Sequence, residues 1–131
     1  MNFVTAGRAL LLDLGQGPHL WFVLTDPDVH ERVVLAMLVT ARPHTDKTVA
    51  LVAGDHSFVQ HESNVNYSTA TFASSARLNA LLAKGRGKLL EDVSTAVLLA
   101  VRCGLLSSSR TANEVVDYCR ALFGSECSDD G

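Results

Sequence analysis

The chain has 131 residues, 47% of them hydrophobic, and a formal net charge of −3 at pH 7. This hydrophobic content excludes a disordered chain, and the length predicts a single domain, 1–131, that can bury a core of its own. The negative net charge provides no overall basic surface, so contact with nucleic acid would require a local basic patch.

The chain contains three cysteines, Cys103, Cys119 and Cys127, and no pair of them has C-x-x-C spacing. An odd number of cysteines without the pattern of a secretory leader predicts a reducing, cytoplasmic location. We expect Cys103 and Cys119 to be small core residues of helices. No apolar run is long enough to span a bilayer, so we expect no membrane contact.

The first half of the chain predicts about five short strands. They are rich in β-branched and aromatic residues or alternate in polarity, and they cover Arg8–Asp13, His19–Thr25, Arg32–Thr40, Thr48–Ala53 and Asn64–Thr71. The segments between them are rich in Gly, Pro and Asp, which favour turns. Because no helical pattern separates these strands, we predict a small antiparallel barrel or sandwich over residues 7–72.

The periodicity becomes helical after Phe72, and residues 74–123 are predicted to be a helical extension of two or three helices. The predicted helices are Ser75–Lys84, Lys88–Cys103 and a last helix ending at Phe123. Gly104 is predicted to end the second helix, and Thr111-x-x-Glu114 has the form of a capping box for the third. The polar segment Ser125–Gly131 is predicted to be a frayed tail.

The segment Ala53–Ala70 holds the densest group of hydrogen-bonding and titratable side chains in the chain. Gly54 allows a sharp turn after the fourth predicted strand, and Asp55 can hold that turn by bonding backbone amides. His56 and His61 follow within the same loop. Loops beside a rigid sheet commonly carry chemistry, so this segment is the first place to look for a site.

A set of motifs, in order, resembles the PemK/MazF family of toxins from bacterial toxin–antitoxin pairs. The segments that carry the resemblance are Gly17-Pro18-His19-Leu20-Trp21-Phe22-Val23-Leu24, Leu38-Val39-Thr40, Val49-Ala50-Leu51 and Ser63-x-Val65. In the family, a Gly-rich loop leads into an R-P-x-L-V-L strand, and later strands carry P-I-T or P-I-S, V-x-L and S-x-V. The spacing fits from about Gly7 to Thr71.

The resemblance implies an SH3-like barrel with appended helices, a homodimer, and an antitoxin as the partner. It also implies a metal-independent endoribonuclease that cuts single-stranded RNA. Thr40 matches the Thr or Ser that ends the P-I-T strand of the family, whereas His19 lies at or beside the position of the family's active-site Arg. The loop Gly54–His61 is not part of the common family pattern.

We take His19, Thr40, His56 and His61 as candidate catalytic residues. Cleavage of RNA through its own 2′-hydroxyl needs a base, an acid and a cation, which histidines with an arginine can supply near neutral pH. Histidines in polar loops are commonly solvated or hold a turn, so at least one of the three is expected to be structural. His56 and His61 have irregular spacing for zinc, and we expect neither metal nor cofactor.

The candidate substrate-binding residues are Arg42, Asp55, Trp21 and Tyr67. Arg42 follows Thr40 closely at a strand end and can contact phosphate, while the two aromatic side chains can stack on a base. Trp21 has an alternative as a core or dimer-interface residue, because its strand is otherwise apolar. We predict that His19, Thr40, Arg42, Asp55, His56 and His61 converge at one end of the barrel, which requires the Asp55 loop to fold back or a second subunit to contribute it.

Two other function classes stand beside the RNA-cleaving toxin. One is a toxin or binding module of the same fold that grips a protein target without catalysis. The missing family Arg and the net negative charge favour it, and the His-rich loop favours cleavage. The other is an adaptor domain whose helices recruit another chain.

Overall fold

The computed structural model describes residues 2–127 of the chain, so residues 128–131 of the predicted tail lie outside it. The described elements are six β-strands, three α-helices and a short 3-10 helix. The strands are β1 (Ala9–Asp13), β2 (Pro18–Val23), β3 (Arg32–Thr40), β4 (Ala50–Leu51), β5 (Ser63–Ser74) and β6 (Gly87–Leu89). The helices are α1 (Ser75–Ala83), α2 (Thr95–Ser107), α3 (Asn113–Phe123) and the 3-10 helix Gly124–Cys127.

The six strands form one antiparallel sheet in the order β4-β5-β3-β2-β1-β6. The sheet curls into a half-barrel whose edges are β4 and β6. No helix separates β1 to β5, which confirms the predicted series of antiparallel strands followed by helices. Residues 125–127 of the predicted frayed tail form the 3-10 helix.

Two hydrophobic clusters cover the two faces of the sheet. On one face, α2 and α3 pack on Phe22, Val34 and Tyr67. On the other, α1 packs on Trp21 and Leu35 through Leu78. Because β3 contributes to both clusters, it is apolar almost throughout, as its sequence predicts for a strand buried on both faces.

The chain between α1 and α2 departs from the predicted helix Lys88–Cys103. Residues 87–89 form β6, which pairs with β1, and the backbone N–H groups of Leu90 and Val93 continue along the same edge to the carbonyls of Ala9 and Gly7. Helix α2 begins only after Ser94, whose hydroxyl accepts a hydrogen bond from the Val97 N–H. Leu90 and Val93 pack against the same hydrophobic cluster as Val97. Their spacing resembles that of a helix, although the segment that carries them is extended.

Gly104 and Thr111 have roles other than the predicted helix stop and cap. Gly104 lies inside α2, where an added Cβ would overlap the Tyr67 hydroxyl and a Val49 methyl. The N-cap residue of helix α3 is Ala112, which has no side chain that could cap it, and the Thr111 hydroxyl donates instead to the Leu105 carbonyl 2.8 Å away. Both residues therefore serve the packing and connection of the two helices.

The prediction for one of the cysteines is also wrong. Cys103 is joined to Cys127 by a disulfide that links α2 to the 3-10 helix, so it is not a free core residue. Cys119 is a free, fully buried thiol in α3, as predicted, and burial raises its pKa to about 11. Within residues 2–127, no helix is long and apolar enough to cross a membrane.

The close approach of α2 to β5 can be tested at Gly104. We expect Gly104→Ala to lower the free energy of unfolding by about 1–3 kcal/mol, because the new methyl group overpacks the contact with Tyr67 and Val49. In a Val49→Ala background the same change should cost less. Equal costs in both backgrounds, measured by denaturant unfolding, would show that Val49 does not limit the space at Gly104.

Candidate functional site

An open cleft of about 580 Å³ lies where β2 and β3 meet the loop between β4 and β5. Its walls carry three of the candidate residues, His19, Thr40 and His61. Phe58 and Ser63 add an aromatic ring and a second hydroxyl to the lining. We call this space the His61 cleft.

The pairing of β3 with β5 brings the loop to Thr40. Thr40 lies opposite Ser63, and the Ala41 N–H donates to the Glu62 carbonyl 3.1 Å away. β4 pairs with the other side of β5 and runs parallel to β3, so Thr40 and Leu51, the last residues of the two strands, both lie opposite Ser63 at one end of the sheet. The loop after β4 therefore starts at the end of β3 without folding back across the barrel, and His61 rather than Asp55 lines the cleft there.

His19 and His61 present their rings differently. His19 is half-buried on β2, and its Nε2 lies 3.1 Å from the Gln16 carbonyl of the preceding turn. That turn is held by the Asp13 carboxylate, which accepts from the N–H groups of Gly15 and Gly17. The His61 ring is exposed and makes no hydrogen bond to any described residue. One ring is thus oriented by the fold, and the other is free to meet a ligand.

His56 has a structural position outside the His61 cleft. It is 5% exposed, its Nδ1 accepts from the Phe58 N–H at 3.0 Å, and its Nε2 lies 2.7 Å from the Glu91 carbonyl. A backbone N–H can only donate, so Nδ1 must be unprotonated and Nε2 carries the proton to the carbonyl. The ring therefore ties the loop to the segment before α2, and its nitrogens are not available to a substrate.

Asp55 also holds the loop rather than lining the His61 cleft. Its Oδ2 accepts from the Val52 N–H at 2.7 Å, and Gly54 adopts a φ of 105°, as the turn predicted from this sequence requires. The Ser57 N–H donates to Glu91 at 3.1 Å, and hydrogen bonding by Ser57 lowers the pKa of that carboxyl. Asp55 and His56 line a separate cavity with Glu91.

The two aromatic candidates are core residues. Trp21 is 4% exposed, and Tyr67 is fully buried with its hydroxyl donating to the Val101 carbonyl at 2.7 Å. Neither can stack on a base. Phe58, which the sequence analysis did not select, is 43% exposed and lines the His61 cleft. Its signal was a large aromatic side chain in the loop segment between two histidines.

Arg42 lies in a second cleft, of about 350 Å³, which we call the Arg110 cleft. Its lining includes Arg42, His44 and Arg110, and it shares Val39 and Thr40 with the His61 cleft. The Arg110 guanidinium donates to the His44 carbonyl at 3.2 Å. Arg110 is distant from Arg42 in sequence, so only the packing of the α2–α3 connection on the β3–β4 loop brings them to one cleft.

Asp46 joins these two loops. Its side chain is buried and accepts from the Ser108 hydroxyl at 2.7 Å and from the Thr48 N–H at 2.9 Å. Burial alone would raise the pKa of Asp46, but these hydrogen bonds and the charge of Arg110 outweigh it and lower the pKa. Within residues 2–127, no three His, Cys, Asp or Glu side chains are grouped so that they could hold a metal ion.

No protein-family model matches the chain, and no curated protein matches it in sequence. Its fold is similar to a solved structure described as an endoribonuclease in complex with its cognate antitoxin from mycobacterial species. The TM-score is 0.54 at 21% sequence identity, and the match covers 79% of this chain and 91% of that one. At this identity the similarity establishes a shared fold.

The two loop histidines should differ in their effect on stability. We expect His56→Ala to lower the free energy of unfolding by about 1–3 kcal/mol, because it leaves the Phe58 N–H and the Glu91 carbonyl without partners. His61→Ala, at an exposed position, should change it by less than about 0.5 kcal/mol. Denaturant unfolding of both variants tests this, and equal losses would show that His56 does not hold the loop.

Ser108→Ala should destabilise the protein by about 1–3 kcal/mol, because Asp46 loses a hydrogen bond in a buried setting. A carboxyl with a lowered pKa stabilises the fold above its usual pKa of 3.8 and loses that contribution as the pH falls through its folded value. The difference between Ser108→Ala and wild type should therefore be largest above pH 3.8 and narrow in more acidic solution. Ser109→Ala, at an exposed neighbouring position, is the control. A difference in unfolding free energy between Ser108→Ala and wild type that widens in acid would contradict the role of Ser108 as a partner of ionised Asp46.

Proposed function

We propose that the protein is a PemK/MazF-like toxin of a toxin–antitoxin pair, an endoribonuclease that cleaves single-stranded RNA in the His61 cleft without a metal ion. The observation that carries the proposal is the meeting of His19, Thr40 and His61 around one open cleft. The fold shared with an antitoxin-bound endoribonuclease supports it. By the same reasoning, the regulating partner is an antitoxin.

Two histidines can supply the base and the acid of RNA cleavage, and the protonated imidazole is also the cation beside the phosphorane. One imidazole takes the proton from the 2′-hydroxyl, the 2′-oxygen attacks phosphorus, and an imidazolium gives its proton to the departing 5′-oxygen. The products are a 2′,3′-cyclic phosphate and a 5′-hydroxyl, so the reaction consumes no water. Thr40 can donate a hydrogen bond to a phosphoryl oxygen as negative charge builds there.

Phe58 gives the cleft a means of holding a nucleotide. Its exposed ring can stack on a base next to the cleaved bond, a contact worth about 1–3 kcal/mol per base in single-stranded nucleic-acid complexes. Stacking tolerates any base, so Phe58 contributes to affinity more than to sequence preference. This role replaces the one first given to Trp21 and Tyr67.

We also propose that the protein is a homodimer. In the described chain β4 and β6 are short strands at the edges of the sheet, and a second subunit could cover one of them. The family resemblance supports the same assembly. The proposal is independent of the chemistry, because the three residues of the cleft come from one chain.

A non-catalytic toxin that grips a protein target is the second candidate. The exposed side chains of Val52 and Phe58, 51% and 43% exposed, lie on the same loop and suit an apolar contact with a protein. The net charge of −3 also favours a protein target over RNA. In this case growth inhibition would need Phe58 but neither histidine.

The test is cleavage of single-stranded RNA by purified protein. We expect His19→Ala and His61→Ala each to lower the cleavage rate by about 10²–10⁴-fold, because each removes a proton-transfer group. His30→Ala, which removes an exposed histidine of the β2–β3 turn, is the matched control and should cleave at the wild-type rate. A metal chelator should leave the wild-type rate unchanged.

Induced expression, with growth and total RNA followed together, separates the two candidates. Growth arrest with RNA cleavage that is lost in His19→Ala and His61→Ala supports the endoribonuclease. Growth arrest that persists in the double variant His19→Ala/His61→Ala but is lost in Phe58→Ala would overturn it in favour of the protein-binding toxin.

A further inference from the structure

We propose that the Arg110 cleft binds a backbone phosphate of the RNA strand that occupies the His61 cleft, with Arg42 and Arg110 as the cations. This inference rests on the proposed function, since it names the second point at which the same substrate is held. It assigns a binding role to the α2–α3 connection, which lies outside the segments that resemble the toxin family.

Most N–H donors of the Arg42 and Arg110 guanidinium groups make no hydrogen bond to the described residues. The three ion pairs among residues 2–127 lie elsewhere and join Arg8 to Asp92, Arg32 to Asp28, and Arg102 to Glu126. The Arg42 guanidinium donates one hydrogen bond, to the Ala41 carbonyl at 3.0 Å, and the Arg110 guanidinium donates one to the His44 carbonyl. A guanidinium has five N–H donors, so both side chains keep most of theirs for a ligand.

The charge of the cleft is opposite in sign to that of the whole chain. Two arginines line it against one carboxylate, that of Asp46, which is buried and already accepts hydrogen bonds from Ser108 and Thr48. The Lys47 ammonium donates to the Arg42 carbonyl and adds a third cation beside the cleft. This is the local basic patch that a chain with a net charge of −3 needs in order to contact nucleic acid.

The backbone that carries the two arginines is held in place by the fold. The Ser108 hydroxyl donates to Asp46 and accepts from the Arg110 N–H at 3.1 Å, so the buried carboxylate positions the backbone that carries Arg110. On the opposite side, the Thr45 hydroxyl accepts from the Arg42 N–H at 3.0 Å. Positions defined in this way reduce the entropy lost when a phosphate binds.

The shared wall indicates which phosphate is bound. Val39 and Thr40 line both clefts, so a strand whose cleaved bond lies at Thr40 reaches the Arg110 cleft by passing the end of β3. The remaining lining is mainly polar, including Asn66, Ser68 and Thr45. A polar lining with two guanidinium groups suits a phosphate, which arginine can bind through two parallel hydrogen bonds, and does not suit an apolar protein segment.

The experiment measures binding of a single-stranded RNA whose 2′-oxygens are methylated, so that it cannot be cleaved, by fluorescence anisotropy over a series of salt concentrations. Each phosphate contact on a single strand contributes about 0.7 to the slope of log K against log salt. We expect Arg42→Ala and Arg110→Ala each to reduce the slope by about 0.7, and the double variant by about 1.4. Arg77→Ala, an exposed arginine of α1, is the control and should leave the slope unchanged.

Arg110→Gln separates the loss of charge from a change of loop structure, because glutamine keeps an N–H donor for the His44 carbonyl while removing the charge. It should reduce the slope as much as Arg110→Ala does. A wild-type slope in the double variant, with RNA still bound, would overturn this inference and leave the proposed function standing. Absence of RNA binding by the wild-type protein would overturn both. A reduced slope in a protein that does not cleave RNA would support the phosphate site and count against catalysis.

Discussion

The pairing of β3 with β5 is the constraint on which the rest of the molecule depends. These two strands make the longest ladder of the sheet, from Arg32 opposite Ser74 to Thr40 opposite Ser63. The period of a strand is two residues, so a slip of one position would move Leu38 to the opposite face of the sheet, where it does not fit the packing, and would shift Thr40 away from Ser63. Burial on both faces of β3 makes such a slip costly, and the same burial therefore fixes the geometry of the His61 cleft.

The polar residues of the long loop divide between holding the loop and facing solvent. His56 and Asp55 use their side chains on backbone groups, and the loop is thereby fastened to the segment that precedes α2. This leaves Phe58 and His61 on the side of the cleft, one apolar and one titratable. Ordering the backbone of this loop costs conformational entropy. The hydrogen bonds of Asp55 and His56 offset that cost, so the loop can be ordered while the His61 ring makes no hydrogen bond to a described residue.

The helices do more than cover the sheet. Gly104 lets α2 approach Tyr67 closely, and the Tyr67 hydroxyl is satisfied by the Val101 carbonyl of the same helix. The disulfide between Cys103 and Cys127 ties the end of the described chain to α2. The α2–α3 connection is then fixed against the β3–β4 loop by the bond between Ser108 and Asp46. The helical half thus positions Arg110 beside a surface formed by the barrel-like half.

Local sequence determined the elements whose pattern depends on neighbours along the chain. The limits of β3 and the turn at Gly54 follow from β-branching and from the conformational freedom of glycine. The change from strands to helices follows from periodicity, although it comes after Ser74 rather than after Phe72 as predicted. His19, Thr40 and His61 were among the residues selected from sequence, and the structure places all three in one cleft.

Tertiary structure decided everything that depends on an edge, a buried partner or a distant loop. The strand β6 formed where a helix was predicted because β1 had a free edge, and local periodicity cannot register that edge. His56 and His61 are alike in sequence, and only the position of the Glu91 carbonyl makes one structural and leaves the other exposed. Tyr67 was expected to stack on a base but is fully buried, whereas Phe58 is exposed in the cleft, since burial is a property of the packed chain and not of the residue.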